Sequence, residues 1–344
     1  MKKNSYVEKE NNVEYFETNI KSSKIPPENI FKYYSLNSNN VDALINGYFF
    51  ASHSLGLNDV FDSSSYILNS SVVFPLEYFY KFYKLVSKKG VLSKDEKDEI
   101  KQIHGRGNKH EMIKLLWDLT ASTFGVISMS ASDNNNLMWP HYTFEKGFQL
   151  EFNTIKIRKS IISKLDINDE CVGFFPVNYV KKLKMLDVSH FSNIKIPFLY
   201  ATNIKNKNWK YEEEWRFLVS RKDMELPKDK VGFDYLKHMH NLNKLVNRYF
   251  YYEKKLVKSI TLGANFFTTK DFNIYNLSPT CYYVTPKKKF YYNFLDYLFN
   301  EFQNKLYISS GQTIPNVDGS FEICRSKKAF KILKKRYNGY IVNR

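Results

Sequence analysis

The sequence predicts a mixed α/β or α+β fold with a single central sheet, a helical insertion and a helical C-terminal region. Short aromatic or β-branched runs, which are typical of strands, alternate irregularly with apolar stripes at helical spacing. Of the 344 residues, 43% are hydrophobic and 25% are charged, which is a globular composition. No apolar run approaches the roughly 18 residues of a membrane span, and the basic start lacks the apolar core of a signal peptide. We therefore expect a cytoplasmic protein without membrane association.

The strand predictions come from short runs that end at turn-forming residues. In chain order they cover 30–36, 48–52, 124–129, 147–152, 171–180, 184–188, 215–220 and 259–262. Two helical turns over 41–47 separate the first two strands and end at Gly47. Residues 1–25 are predicted as a loose polar lead-in to a mixed core over 26–286.

Helices are predicted in an insertion at about 75–122 and in a basic C-terminal region over 287–344. Within the insertion, apolar residues recur at three- and four-residue steps over 79–86 and 112–119. Ser93 and Glu96 between them have the spacing of a capping box. In the C-terminal region, an apolar stripe over 290–302 predicts one helix, and the run KKAFKILKKRY from Lys327 predicts a basic amphipathic helix.

The charge is strongly positive, with a formal net charge of +17. Such an excess favours nucleotides, nucleic acids or other anionic partners. Only eight of the 52 basic residues are arginine, however, and arginine is the side chain that binds bases and phosphates bidentately. We therefore interpret the charge as a weak steering field; the sequence identifies no protein partner.

Signatures of common enzyme classes are absent from the sequence. It contains no GxxxxGK[ST], GxGxxG, HExxH or GxSxG, so P-loop, dinucleotide-fold, zincin and nucleophile-elbow assignments lack support. Its three cysteines are widely separated and form no CxxC pair, which excludes a disulfide framework and a cysteine-built zinc site.

What remains is a set of polar and aromatic segments beside predicted strands. The first, 31–35, contains Lys32 and Tyr33, which could hold a phosphate and stack on a ring, although an ordinary edge strand has the same pattern. The second runs from Ser52 to Asp62 and contains Asn58 and Asp59. These side chains could bind ribose hydroxyls or a hard cation, or simply stabilise a turn.

A third segment, 137–142, contains Trp139, His141 and Tyr142. The tryptophan precedes proline, which holds its backbone extended, and the histidine could act as an acid, a base or a hydrogen-bond donor, although a lone histidine is often structural. Ser128 and Ser130, two residues apart on the preceding strand, point to the same side and could contact a ligand.

The fourth segment, 208–217, is the most informative. Glu212 and Glu214 lie two residues apart where a strand begins, so their carboxylates are predicted to share one face. Paired carboxylates raise the pKa of one member and can stabilise a developing cation. Arg216 lies on the same face and could pin Glu214. A structural Glu–Arg pair between packed tryptophans is the alternative.

In this order, these segments resemble a bacterial family known as domain of unknown function 2971 (DUF2971). The matching stretches are FKYYSL (31–36), FFASHSLGLNDVFDSS (49–64), VISMSASDNNNLMWPHYTFEKGFQLEF (126–152), NKNWKYEEEWRFLV (206–219) and VKSITLGANF (257–266). The resemblance implies a grouping more than a mechanism, and it favours a defence-type effector over a housekeeping enzyme.

The first functional hypothesis is an enzyme that cleaves NAD or transfers its ADP-ribosyl group, with NAD as substrate and no metal. This chemistry passes through an oxocarbenium-like transition state, which needs a carboxylate near the ribose and aromatic clamps. The hypothesis gives each candidate a role: Glu214 contacts the ribose and its cationic centre, Glu212 orients the acceptor, Tyr33 and Trp139 clamp rings, Ser130 and His141 hold nicotinamide or ribose, and Lys32, Ser52, Asn58, Asp59, Tyr142 and Arg216 bind ligand.

Two alternatives stay open. A metal-dependent nuclease or phosphoesterase would gather Mg²⁺ on Asp59, Asp62, Glu212 and Glu214. It ranks lower because such sites usually place a lysine beside the carboxylates, whereas Glu214 is followed by Trp215 and Arg216. A non-catalytic nucleotide or nucleic-acid binding module is the other alternative. The catalytic hypotheses all require these distant segments to converge on one cleft.

Overall fold

The chain folds into a mixed α+β structure around one large sheet. The computed structural model describes residues 4–9, 12–18, 26–59, 61–87, 91–121, 123–165, 170–190, 195–221, 224 and 245–343. Its α-helices are α1 (Ser38–Asn46), α2 (Leu76–Ser87), α3 (Lys94–Gly105), α4 (Lys109–Ala121), α5 (Thr154–Ser163), α6 (Lys195–Thr202) and α7 (Lys289–Glu301). Within the described residues, no helix combines the length and apolarity needed to cross a membrane.

The strands are short in the first two thirds of the chain and longer near its end. They are β1 (Asn4–Lys9), β2 (Asn12–Thr18), β3 (Asn29–Tyr34), β4 (Tyr48–Phe50), β5 (Leu68–Asn69), β6 (Phe124–Ser130), β7 (Phe148–Asn153), β8 (Glu170–Pro176), β9 (Asn178–Val180), β10 (Leu186–Asp187), β11 (Ile204–Asn206), β12 (Glu214–Ser220), β13 (Tyr249–Tyr251), β14 (Val257–Leu262), β15 (Phe272–Ser278), β16 (Cys281–Pro286), β17 (Leu306–Pro315), β18 (Phe321–Ala329), β19 (Lys331–Arg336) and β20 (Gly339–Asn343).

The central sheet has eight strands in the order β18-β17-β14-β7-β3-β6-β12-β8. Neighbouring strands are antiparallel except β14 and β17, which run parallel. The main core brings Ile30, Leu150 and Phe217 of this sheet together with Ile157 of α5 and Leu295 of α7. Helices therefore cover one face of the sheet, and burial of these apolar side chains stabilises the arrangement.

The sheet opens beside β6. One edge of β6 pairs with β12 along seven residues, but its other edge pairs with β3 only where Phe31 lies opposite Ser130. Further along the same edge, Ser52 forms a bridge to Val126. Between these two points, Lys32 Nζ donates a hydrogen bond of 2.7 Å to the backbone oxygen of Ser128. A lysine side chain thus takes the place of a strand partner, and a cleft forms at the split.

The predicted helical insertion is present as α2, α3 and α4. Ser93 and Glu96 form the expected capping box at the start of α3, with a hydrogen bond in each direction. The three helices share a second hydrophobic core, in which Phe79, Ile100 and Met112 are buried.

The C-terminal region corrects the prediction. The stripe over 290–302 does form a helix, α7, but a basic amphipathic helix from Lys327 is wrong, because β18 and β19 cover that run. The side chains there alternate along the chain, with Phe330 and Ile332 buried and Lys331 exposed, which is the period of a strand. A second, four-stranded sheet with the order β15-β16-β20-β19 contains β19, so the prediction of a single sheet is not confirmed, although one large sheet is central.

The polar segment over 1–25 is not wholly loose, because β1 and β2 pair antiparallel within it. Its other residues lie outside the described part of the chain. The predicted domain limits at residues 25 and 286 stay predictions.

Candidate functional site

A cleft of about 220 Å³ lies at the split beside β6. Segments far apart in the sequence converge on it, as the catalytic hypotheses require. Eight predicted site residues line it: Lys32, Tyr33, Ser52, Asn58, Ser130, Tyr142, Glu212 and Glu214.

The two paired glutamates reach the cleft through a tight turn. A 3₁₀ turn over Lys207–Glu212 leads into β12, and Glu213 between them adopts a left-handed backbone with φ of 44°. Glu212 and Glu214 are both buried, whereas Glu213 is exposed. The turn therefore directs both carboxylates inward, as the alternating pattern predicts.

Five buried ionisable side chains form what we call the charged cluster: Asp62, Lys205, Glu212, Glu214 and Arg216. Lys205 Nζ lies 2.6 Å from Glu212 Oε2, 3.2 Å from Glu214 Oε2 and 3.2 Å from Asp62 Oδ2. One ammonium group is thereby shared among three carboxylates. Such sharing compensates part of the desolvation cost of burying charge.

Arg216 lies beneath the cleft and holds two of these carboxylates. Its Nε and Nη2 donate to the two oxygens of Glu214, both at 2.8 Å. Its Nη1 and Nη2 donate to the two oxygens of Asp62 at 2.7 and 2.6 Å, and Nη1 also donates to the backbone oxygen of Thr202. Both carboxylates are therefore bound bidentately by one guanidinium.

The two glutamates differ in acidity. Burial alone would raise the pKa of Glu214, but Arg216 and Lys205 hold it well below its usual range. Burial and the negative charge of Glu214 raise the pKa of Glu212, although Lys205 opposes this shift. Neighbouring carboxylates with divergent pKa values are a feature of functional sites.

Glu212 is linked to polar side chains that line the cleft. The hydroxyl of Tyr142 donates a hydrogen bond to Glu212 Oε1, and Asn58 Nδ2 donates to that hydroxyl at 3.0 Å. Burial and the adjacent Glu212 charge raise the pKa of Tyr142, so its hydroxyl stays protonated. Ser130 Oγ donates to the backbone oxygen of Glu212 at 2.8 Å and so supports the turn. Glu212 is thus held at the cleft from three directions.

The opposite side of the cleft is apolar and aromatic. Phe31, Tyr33 and Met138 line it, and the Tyr33 hydroxyl donates to the backbone oxygens of Ser132 and Asp133, each at 3.0 Å. An aromatic wall facing a buried carboxylate suits a planar ring attached to a group that becomes cationic.

Four predicted site residues do not line the cleft. Trp139 is only 1% exposed and packs edge-on against Tyr33 at 5.4 Å, so it supports the wall from behind instead of clamping a ligand. His141 is exposed and its Nδ1 pairs with the Tyr211 hydroxyl at 2.8 Å. Asp59 accepts from the backbone N–H of Phe61, as in a simple turn. Arg216 is buried under Glu214 and positions it.

Lys205 is the charged residue of the site that the sequence analysis missed, and the apolar Phe31 and Met138 of the cleft wall were missed as well. This lysine lies on β11 in the run NIKNKNWK, where Lys207 and Lys210 are exposed and Lys205 is buried. Nothing local distinguishes these lysines. Only the parallel pairing of β11 with β9, distant in the sequence, places Lys205 among the carboxylates.

Lys32 leads to a prediction about stability and pH. Burial lowers the pKa of Lys32 to about 8, although Glu214 opposes this shift, whereas an unfolded lysine titrates near 10.5. Between these values the unfolded chain binds more protons than the folded chain, so stability rises with pH. Between pH 7.5 and 10, we expect the free energy of unfolding of wild type, measured with urea, to rise by roughly 1–3 kcal/mol relative to that of Lys32→Met. A constant difference between the two proteins would contradict this.

Residues 138–217 match the family model of DUF2971, described as a protein of unknown function. The resemblance to DUF2971 is confirmed. The DUF2971 segment includes Tyr142, Lys205, Glu212, Glu214 and Arg216, and so supplies most of the charged cluster and one side of the cleft. No curated protein and no solved structure matches the chain.

Proposed function

We propose that the cleft cleaves the bond between nicotinamide and ribose in NAD, with water or an acceptor group taking the ADP-ribosyl moiety. Such an activity would suit a bacterial defence-type effector. The proposal rests on one observation above all: the carboxylate of Glu212 lies buried in a cleft whose other wall is aromatic.

The chemistry of the substrate matches what the cleft offers. In NAD the bond joins ribose C1′ to a positively charged pyridinium nitrogen. When it breaks, the bonding electrons go to nitrogen, nicotinamide leaves as a neutral molecule, and positive charge moves onto the ribose. No general acid is needed. A carboxylate held in a site of low dielectric stabilises the developing cation. Water then bonds to C1′ and its proton is released through a base.

We assign that carboxylate to Glu212. Glu214 accepts from two cations, Arg216 on both oxygens and Lys205 on one, so its charge is compensated and fixed. Glu212 has one cationic partner, Lys205, and its other oxygen accepts from the neutral Tyr142 hydroxyl, so its charge is less compensated. The sequence hypothesis places Glu214 at the ribose and Glu212 at the acceptor. The hydrogen bonds favour Glu212 at the ribose instead. In this proposal Phe31 and Tyr33 contact the nicotinamide ring, and Asn58 reaches its carboxamide or a ribose hydroxyl.

Lys205 supplies the lysine beside the carboxylates whose absence from the local sequence ranked the Mg²⁺ alternative lower, so that objection no longer holds. The donor set still supports this alternative less well. Lys205 Nζ occupies the position between Asp62, Glu212 and Glu214 where a divalent cation would have to bind. Asp59, the fourth proposed ligand, does not line the cleft. A metal ion would have to displace a buried ammonium that already satisfies all three carboxylates.

The proposal predicts nicotinamide release that is insensitive to a chelator. Purified protein is incubated with NAD, with and without EDTA, and the products are separated by chromatography. We expect nicotinamide and ADP-ribose in equal amounts under both conditions. If an acceptor takes the place of water, incubating the protein with biotin-labelled NAD and a bacterial extract should attach biotin to that acceptor. Intact NAD in both assays at stoichiometric protein would overturn the proposal, and Mg²⁺-dependent cleavage of a phosphodiester would favour the alternative.

A further inference from the structure

The four-stranded sheet has one face on the main core and one face in solvent. Val284, Ile332, Tyr340 and Val342 point inward and pack in the main core, to which α7 also contributes. We call the opposite side of the sheet the outer face. It is separate from the cleft and plays no part in the proposed cleavage.

A row of paired residues crosses the outer face from edge to edge. Tyr275 lies opposite Tyr283, Tyr283 opposite Ile341, and Ile341 opposite Lys334. Tyr275 is 58% exposed, and its ring centre lies 6.2 Å from that of Tyr283. Gly339 leaves room for the Tyr283 ring, since a Cβ there would lie within 2.6 Å of it. Two aromatic rings are thereby presented side by side.

Exposed cationic side chains lie along β19, the edge strand at which the cross-strand pairs end. Lys331, Lys334 and Arg336 lie opposite Asn343, Ile341 and Gly339 respectively. Lys334 and Arg336 are two residues apart, which is roughly 7 Å along a strand, and Lys331 precedes Lys334 by three residues across a bulge. Successive phosphates of an extended strand can follow such a spacing. Lys335 points to the other side, where it pairs with Asp296 of α7 at 2.7 Å.

We propose that the outer face binds single-stranded nucleic acid, with bases stacked on Tyr275 and Tyr283 and phosphates along β19. Stacking on aromatic side chains beside a track of positive charge is how sequence-tolerant single-strand binding works. Lysine suffices for this purpose, because the phosphates are met as point charges. A duplex is a poorer ligand, since its base faces are already stacked.

Protection of the sheet edge explains the cations of the outer face but not its tyrosines. Lysines on an edge strand protect a sheet from pairing with another chain, and β19 is an edge strand. That role accounts for the cations, but it gives no reason for the exposed Tyr275 and the half-buried Tyr283 on the same face. Charge and aromatic surface together favour a polyanion with accessible planar bases.

The test is fluorescence anisotropy of a labelled oligothymidine with the full chain over a range of salt concentrations. We expect Tyr275→Ala to weaken binding about tenfold and Tyr275→Phe to retain it, because phenylalanine keeps the stacking face. The triple variant Lys331→Gln/Lys334→Gln/Arg336→Gln should lower the slope of log K against log salt by about 2. A matched triple of exposed α3 lysines, Lys94→Gln/Lys97→Gln/Lys101→Gln, should change neither quantity.

The contrary outcomes are equally specific. Equal loss of binding in both triple variants would mean that only net charge matters, and equal affinity for a duplex would remove the role of stacking. Binding to anionic lipid vesicles without binding to the oligonucleotide would also overturn the proposal. NAD cleavage by the β19 variant is measured in parallel, and its melting curve shows whether it folds. Failure of the cleavage proposal therefore leaves this one independently testable.

Discussion

Replacing Glu212 by glutamine is expected to lower the rate of NAD cleavage by about 10²–10³-fold. Glutamine keeps the shape of the side chain and one acceptor oxygen for Tyr142, but it removes the negative charge that would face the ribose in the proposed reaction. Losing one electrostatic contact to the transition state typically has an effect of this size. The affinity for NAD should change far less than the rate, because the charge acts on a cation that exists only in the transition state.

Glu213→Gln is the matched control for this experiment. It makes the same chemical change in the same turn, but Glu213 is exposed and lies outside the cleft lining. Nicotinamide release by this variant should equal that of wild type. If Glu212→Gln also keeps full activity, our assignment of the carboxylate is wrong, and activity lost only in Glu214→Gln would restore Glu214 to that role.

Replacing Arg216 by methionine is expected to destabilise the protein by about 3–5 kcal/mol. Methionine fills much of the same volume but leaves Asp62 and Glu214 buried with Lys205 as their remaining cation. Breaking a buried ion pair from one side is costly because the partner stays charged and desolvated. Urea unfolding at neutral pH measures the difference.

Arg106→Met is the control for the stability experiment. Arg106 pairs with Glu111 at 3.3 Å in an exposed position, so its removal should lower the free energy of unfolding by under about 1 kcal/mol.

The loss of stability in Arg216→Met should become smaller in acid. Without the guanidinium the pKa of Glu214 rises, so the carboxyl group takes up a proton and no longer remains as an uncompensated charge. A penalty that is small at neutral pH, or that is independent of pH, would contradict this account.

Much of the central fold could be predicted because its signals are local. The runs that form β3, β6, β7, β12 and β14 are short, apolar and bounded by turn residues, and the capping box at Ser93 marks α3 directly. The run KKAFKILKKRY gives no such decision, since its apolar residues fit both a helical and a strand period. Pairing of β18 with β17 and of β19 with β20 decides in favour of strands. That choice depends on distant partners that a local pattern does not contain.

The candidate site, too, could be predicted only where its signals are local in the sequence. The spacing of Glu212 and Glu214 predicts a shared face, and the same spacing places Arg216 next to Glu214, as found. Trp139 and His141 carry the right chemistry, but burial behind Tyr33 and pairing with Tyr211 are decided by tertiary packing. Lys205 gives no local signal because its neighbours in the sequence are equally basic.

The contact between Arg325 and Glu145 joins a segment that is synthesised late to the turn before β7. Arg325 of β18 pairs with Glu145, which lies just after the turn that carries Tyr142. During translation, the loop beside Glu212 therefore lacks this support until residue 325 has left the ribosome. Nascent chains released before that point should fold around the earlier strands without this contact.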